Sequence, residues 1–410
     1  MNRAYILRLY PNAKQAIILE KHFGCVRKVY NHCLALQIEQ LLVSSEDKSL
    51  PMLHGWRQLQ DRLVALKHTD DYRYLCEVNS QSLLATLQNL KKGFGNFFRE
   101  KAKHNLKHKP KTIAKIKERM GDRFVPLMAY KGFPTFKRKH HRQSFACPQH
   151  VTLDQDKGLI TLPKVKGGIK AVFTREVVGK VKTVTITKTA TGKYYASVLV
   201  DNDEVIPTPT TIEPSQTLGI DLGLSHLLIT SDGDKVDNPR FLKDSLTKLG
   251  VAQKKFSRKV KGSNNRERQR IVVAQCHERI ANQRLDAHHQ LTHRLVSENQ
   301  ATTFAVEDLG IKNMVKNKKL ARAIHDAGWG QFIRLLTYKA WWWGKNVIKV
   351  NRFYPSSKTC ASCGSKIDKL PLSVRSWQCQ HCHTTHDRDI NAATNIRRQA
   401  LADALGLSAV

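Results

Sequence analysis

A chain of 410 residues with 41% hydrophobic content is long enough to bury more than one core, and two or three domains are expected. Its 69 Lys and Arg stand against 34 Asp and Glu, a net charge of +35 that repels itself unless a polyanion neutralises it, which makes nucleic acid the expected partner. An anionic membrane surface fits less well, because no apolar run approaches the roughly 20 residues of a span and no basic amphipathic anchor is visible; the opening Met1–Tyr10 is strand-like and broken by arginines, unlike a signal peptide.

In chain order, residues 4–10 alternate as a strand and Pro11-Asn12 turns out of it. From Lys14 to Leu42 apolar residues recur at helical spacing (Ile17, Ile18, Leu19, Phe23, Val26, Val29, Leu34, Leu36), with Gly24 as a point where the run could kink. Further helices are expected over Trp56–Leu66 and Ser80–Lys101, the latter with a core stripe of Leu83, Leu84, Leu87, Leu90, Phe94, Phe97 and Phe98. Residues 101–119 hold eight Lys or Arg and one acid, and read as a basic linker ordered only against an anion. Lys131–Arg142 interleaves Phe133, Pro134 and Phe136 with cations, a composition suited to stacking on bases and gripping a backbone, or to a solvated loop. Short alternating runs from Val151 to Val200 predict an antiparallel, barrel-like module to which the first strand adds. Pro207–Pro214 is the clearest linker, and the main domain boundary is placed there.

Beyond it, Thr217–Gly233 predicts a β-hairpin with one acid, Asp221, among apolar neighbours; it caps a turn or holds a metal ion. A long antiparallel helix pair follows over Leu242–Phe256 and Arg266–Asn299, around a bend rich in Lys and Arg. Ala301–Gly310 reads as a buried parallel strand ending in Glu307 and Asp308, either a site acid at the strand tip or two solvated carboxylates. A helix over Trp329–Gly344 closes on Trp341-Trp342-Trp343, expected to fill core or an interface, and Asn346–Phe353 is a further strand.

Five of the nine cysteines are scattered, as buried thiols in a reducing compartment would be. The other four form two C-x-x-C pairs, Cys360/Cys363 and Cys379/Cys382, separated by 15 residues. Four thiolates at this spacing predict one tetrahedral structural Zn²⁺, with disulfides or an iron–sulfur cluster as alternatives and His381, His383 or His386 as substitute ligands. The chain then enters His386-Asp387-Arg388-Asp389, where Asp389 starts a helix: it is an N-cap or a metal-bound carboxylate, and Asp387 competes for either role. Asp221, Glu307 and Asp389 each sit at the edge of a predicted element in a basic chain. That is the donor set needed for phosphodiester hydrolysis on two Mg²⁺ ions.

With these pieces in order, the chain resembles the TnpB family of transposon-encoded RNA-guided DNA endonucleases, relatives of the type V CRISPR effectors. The matching segments are Arg8-Leu-Tyr-Pro-Asn12, Val29-Tyr-Asn-His32, Gly132-Phe-Pro-x-Phe-Lys137, Gly219-Ile-Asp-Leu-Gly223, Val306-Glu-Asp-Leu309, Asp326–Phe332, the two cysteine pairs, and His386–Ile396. The resemblance implies a multidomain α+β protein. Its wedge β-barrel would be formed by 1–12 and 124–206, its helical recognition lobe by 13–123, and a linker by 207–215. A RuvC-like nuclease of RNase-H fold would occupy 216–354 and 385–410, interrupted at 355–384 by a zinc ribbon that touches target nucleic acid. Asp221, Glu307 and Asp389 (over Asp387) would be the Mg²⁺-binding catalytic acids.

The resemblance also implies that a guide RNA from the transposon end pairs with target DNA, double-stranded at first and then single-stranded at the site. The protein itself would read only a short adjacent motif, with 79–84 facing it. The expected setting is the bacterial or archaeal cytosol, associated with the nucleoid, and the expected role is transposon maintenance. Two alternatives stand beside this reading: an RNA-guided DNA-binding regulator deficient in cleavage, and a DNA transposase.

Overall fold

The computed structural model describes residues 1–406 except 105–106, 123–127, 140–141 and 372. His140 and His141 of the basic–aromatic stretch, the first residues of the expected 124–206 segment and the last four of the chain therefore lie outside the described residues. The chain divides after Glu204 into two compact units.

In the first unit, strand β1 (Asn2–Tyr10) is followed by helix α1 (Ala13–Glu46), whose start is fixed by a reciprocal capping box between Asn12 and Gln15. Gly24 does not break this helix: nothing lies within 4 Å of where its Cβ would be, and the helix runs through it. Helices α2 (Trp56–Lys67) and α3 (Ser80–His104) follow, and α3 buries the leucine–phenylalanine stripe against α1. The basic segment after it is not merely a linker. Pro110 occupies the first turn of helix α4 (Pro110–Met120), and Gly121, at φ 86°, ends it. Proline's fixed φ and a glycine stop were the signals that outweighed the charge density.

Seven antiparallel strands complete the unit: β1, β2 (Gln143–Cys147), β3 (Thr152–Asp154), β4 (Leu159–Thr161), β5 (Ile169–Val172), β6 (Lys180–Lys188) and β7 (Tyr194–Asp201). Their order is β2-β6-β7-β1-β5-β4-β3, so the amino-terminal strand lies at the centre of the sheet. Strict alternation in β7 buries Tyr194, Ala196, Val198 and Val200, and these side chains share one core with α1 and α3.

The second unit holds a five-stranded sheet of order β10-β9-β8-β11-β12, where β8 is Thr217–Asp221, β9 His226–Thr230, β10 Lys235–Asp237, β11 Thr303–Glu307 and β12 Asn346–Val350. Strands β8, β11 and β12 are parallel, whereas β9 and β10 run antiparallel. Helices α5 (Phe241–Ser257) and α6 (Asn264–His293) form the expected pair; α6 stops short of Asn299, and one π-turn (Arg294–Glu298) carries the chain on. Helices α7 (Lys318–Ala327) and α8 (Trp329–Trp342) precede β12. Of the tryptophan run, Trp341 and Trp343 are 45% and 55% exposed and so do not fill the core, while Trp329 at the other end of α8 is buried. Helix α9 (Arg388–Leu405) ends the described chain.

Candidate nuclease centre and zinc ribbon

Strands β8 and β11 share one pattern, four buried residues and then a half-buried acid: Thr-Leu-Gly-Ile-Asp221 and Thr-Phe-Ala-Val-Glu307. They pair in parallel with Ile220 opposite Val306, so the two acids leave neighbouring strands side by side at the carboxyl edge. Strand spacing alone puts their backbones about 5 Å apart. Alternation then decides the face. Leu218, Ile220, Phe304 and Val306 enter the core beneath α6 and α8, whereas Ala305 packs on the opposite face with Ile396 and Ala400 of α9. Asp221 and Glu307 therefore emerge on the α9 side.

Helix α9 lies close because β8 carries Gly219: a Cβ there would stand 2.0 Å from the Ala393 carbonyl oxygen and 2.8 Å from Arg397 Cβ. Its buried apolar residues are mostly alanines, Ala392, Ala393, Ala400 and Ala402 around Ile396. Its first turn brings in the third acid. Asp389 does not cap the helix; Asp387 does, accepting from the Asp389 and Ile390 amides at 3.0 and 3.1 Å while Lys235 pairs with its other oxygen at 2.6 Å. These hydrogen bonds outweigh burial and hold the Asp387 carboxyl below its ordinary range. The Asp389 carboxylate is thereby left available to the site, and Arg375 donates to it at 3.2 Å.

The electrostatics mark one centre. Burial, followed by the negative charges of Glu307 and Asp389, pushes the Asp221 carboxyl up to about 7. Burial and Asp308 likewise raise Glu307. Three hard oxygen donors whose repulsion Arg375 relieves only in part, at Asp389, are what a divalent cation would neutralise, and Mg²⁺ suits such donors. The acids are not gathered as tightly as a closed site. Among the described residues, the one group of three or more His, Cys, Asp or Glu side chains whose ligand atoms all lie within 4.8 Å is the four cysteines. Sequence reading missed Arg375, Lys235 and Arg352, which pairs with Asp308. Lys235 and Arg352 lie far along the chain from their partners, and Arg375, 14 residues before Asp389, meets it only because the ribbon folds back.

The cysteine cluster fits zinc directly. Cys360 and Cys382 sulfurs are 3.6 Å apart, as are those of Cys363 and Cys379, close to the edge of about 3.8 Å in a tetrahedron with Zn–S bonds near 2.3 Å. All four are free thiols, which argues against the disulfide alternative. The Ser365 hydroxyl and the Cys382 amide pull the Cys379 thiol down to about 5 and Thr384 lowers Cys382, whereas burial pushes the Cys360 thiol up to about 11, so a bound metal would itself have to displace the Cys360 proton. None of the three histidines joins the group; His386 instead places Nε2 3.0 Å from Cys360 Sγ and packs on Trp377, the position of a second-layer donor to a metal-bound sulfur. Strands β13 (Ser376–Gln378) and β14 (Thr385–Asp387) pair so that Ser376 faces Asp387; the ribbon's last strand thus runs into the cap of α9 and on to Asp389.

The class defined here is a mixed α/β protein with an acid-tipped parallel sheet and a four-cysteine ribbon. Residues 197–318 match the IS605 OrfB family described as "Probable transposase", residues 329–396 the "Cas12f1-like, TNB domain", and residues 1–41 a "Helix-turn-helix domain". That last segment forms β1 and part of the single helix α1 in this structure. A Streptomyces pristinaespiralis protein named "Putative RNA-guided DNA endonuclease" is 35% identical, over 98% of this chain and 90% of its own. InsQ of Escherichia coli K12, of the same description, is 31% identical over 96% and 91%. TnpB-like protein L79 of Acanthamoeba polyphaga mimivirus is 33% identical over 30% of this chain and 24% of its own. A Cas12f1 complex with guide RNA and target DNA aligns over 97% of the chain at 13% identity and a TM-score of 0.47. The chain belongs to the TnpB family.

Proposed function

We propose that the protein is an RNA-guided DNA endonuclease whose centre is Asp221, Glu307 and Asp389. The observation that carries this reading is the raised carboxyl of Asp221, held between two other acids at the carboxyl edge of a parallel sheet in a strongly basic chain. The names of the full-length relatives supply the RNA guide and the DNA target. In this reading β8 and β11 fix two carboxylates and α9 delivers the third. Asp387 is spent on the cap, which favours Asp389 as the ligand. Bound Mg²⁺ would activate the attacking water and stabilise the leaving oxygen. Arg375 and Arg352 at the rim attract the phosphodiester and offset charge among the acids. The four cysteines would hold a structural Zn²⁺ that keeps Arg375 and Asp387 in register. Within the family's plan the first unit is assigned to the wedge and recognition lobe, and the second to a RuvC-like nuclease.

The test is to express the chain with flanking transposon DNA, sequence the RNA that stays bound, and supply a plasmid library with Mg²⁺. A discrete transposon-end RNA with depletion beside one short motif is expected. Asp221→Ala should abolish cutting while RNA and target binding persist. The same RNA without cutting by the unsubstituted chain would favour the regulator reading, and no discrete RNA would favour a transposase.

A further inference from the structure

Outside the acid centre, the second unit contains a cleft of about 570 Å³ between the start of α5 and one side of α7. Five cations line it: Arg240, Lys243, Lys318, Lys319 and Arg322. Its single acid, Asp326, is 7% exposed and cannot neutralise them. One oxygen accepts from the Leu242 amide at 2.9 Å and from Arg284 at 3.3 Å, and the other from the Lys243 amide at 3.1 Å. The acid is used inside the protein to fix the start of α5. The five cations are all exposed.

Their placement is costly to the free protein. Lys318 and Lys319 are the first two residues of α7, where the helix dipole disfavours positive charge. Lys318 and Arg322 are also a like-charged pair one turn apart. Arg240 sits at φ 51°, a left-handed conformation that bulky side chains rarely adopt, with its amide bonded to the Asn238 side chain. Among the described residues, no acid pairs with these exposed side chains. An anion in the cleft would relieve the helix-dipole and like-charge costs.

The cleft also has a direction. Leu224 and Ser225 at its wall belong to the bend that follows Asp221, and because Leu224 is only three residues on, its backbone can lie no more than roughly 11 Å from that of the acid. A space of small-ligand size admits a nucleotide or two of single strand, whereas a duplex would lie only across its mouth.

We propose that this cleft binds the phosphodiester backbone of the single-stranded DNA presented to Asp221. The choice of strand rests on the nuclease reading; the anion-binding character of the cleft does not. The test uses the full chain with its co-purified RNA, with Asp221→Asn to prevent cutting. Binding of a labelled oligothymidine is measured across a salt series. Lys318→Gln, Lys319→Gln and Arg322→Gln are combined in one variant, and Lys254→Gln, Lys255→Gln and Arg258→Gln in a charge-matched control at the other end of α5.

The cleft variant should flatten the log–log salt slope by about two, at roughly 0.7 for each phosphate no longer neutralised, and weaken binding at least about tenfold at low salt. The control should do neither. Without DNA, the cleft variant should melt a few degrees higher than its parent, which a loss of folding would not produce. A photoreactive thymidine in the oligonucleotide should crosslink to 318–324. Equal effects in both variants would reduce the cleft to bulk charge, and an unchanged slope would remove the strand from it. Crosslinking of the retained RNA there instead would overturn the assignment to DNA. Because binding is read, failure of the unsubstituted chain to cut would count against the nuclease reading alone.

Discussion

Asp221 shows how much one carboxylate's meaning depends on neighbours distant in sequence. Alone it could cap a turn; beside Glu307 and Asp389 its proton is held to about 7. Removing its charge should help the metal-free fold and destroy the chemistry. Asp221→Asn is expected to raise the melting temperature in the absence of divalent ions, to abolish the stabilisation that Mg²⁺ gives the unsubstituted protein, and to lower cleavage by at least about 10²–10³-fold. Cleavage assays and melting curves with and without Mg²⁺ check all three.

His288 carries a different prediction. It is 2% exposed against Phe332, and burial lowers its pKa from 6.5 to about 4. The unfolded chain therefore takes up a proton that the folded chain refuses. Stability is full above pH 6.5 and is lost as pH falls toward 4, by up to roughly 3 kcal/mol for this one group. Urea midpoints across that window should slope less steeply in His288→Leu than in the parent.

At the level of elements, the contact between β8 and α9 holds the site together. Gly219→Ala forces a Cβ into the Ala393 carbonyl, so either strand or helix must shift. A cost of about 1–3 kcal/mol is expected from overpacking, with a much larger loss of cutting, because a displacement near 1 Å in a positioned group can cost about 10²-fold. Melting curves and cleavage rates on the same preparation separate the two effects.

The ribbon acts through the same helix. Cys379→Ser, or chelation, should remove one bound zinc per chain by metal analysis. It should also open the segment between Cys360 and Asp387 to proteases and abolish cleavage, because β14 leads straight into the cap that frees Asp389.

Across the whole molecule, the excess of positive charge works against folding in the absence of RNA. The RNA-free chain should gain thermal stability as salt rises, through screening of its own repulsion. The RNA complex should show the opposite trend as its phosphate contacts weaken. Melting series of the two preparations over the same salt range make the comparison.

The sequence by itself determined the elements with strong periodicity and the cysteine pairs with strict spacing. The core stripe of α3, the alternation of β7, the paired cysteines and the acids at strand ends were legible because each depends on residues a few positions apart. Helix α4 was hidden by its charge, and the exposure of Trp341 and Trp343 by their hydrophobicity, since composition describes a residue but not what faces it. Only the tertiary structure decided which of Asp387 and Asp389 caps α9. It also decided that Arg375 meets Asp389 and that five cations are left around a cleft whose one acid is already used. Those outcomes depend on strand register and on a helix lying against a glycine. Both are set by packing between segments that share no local pattern.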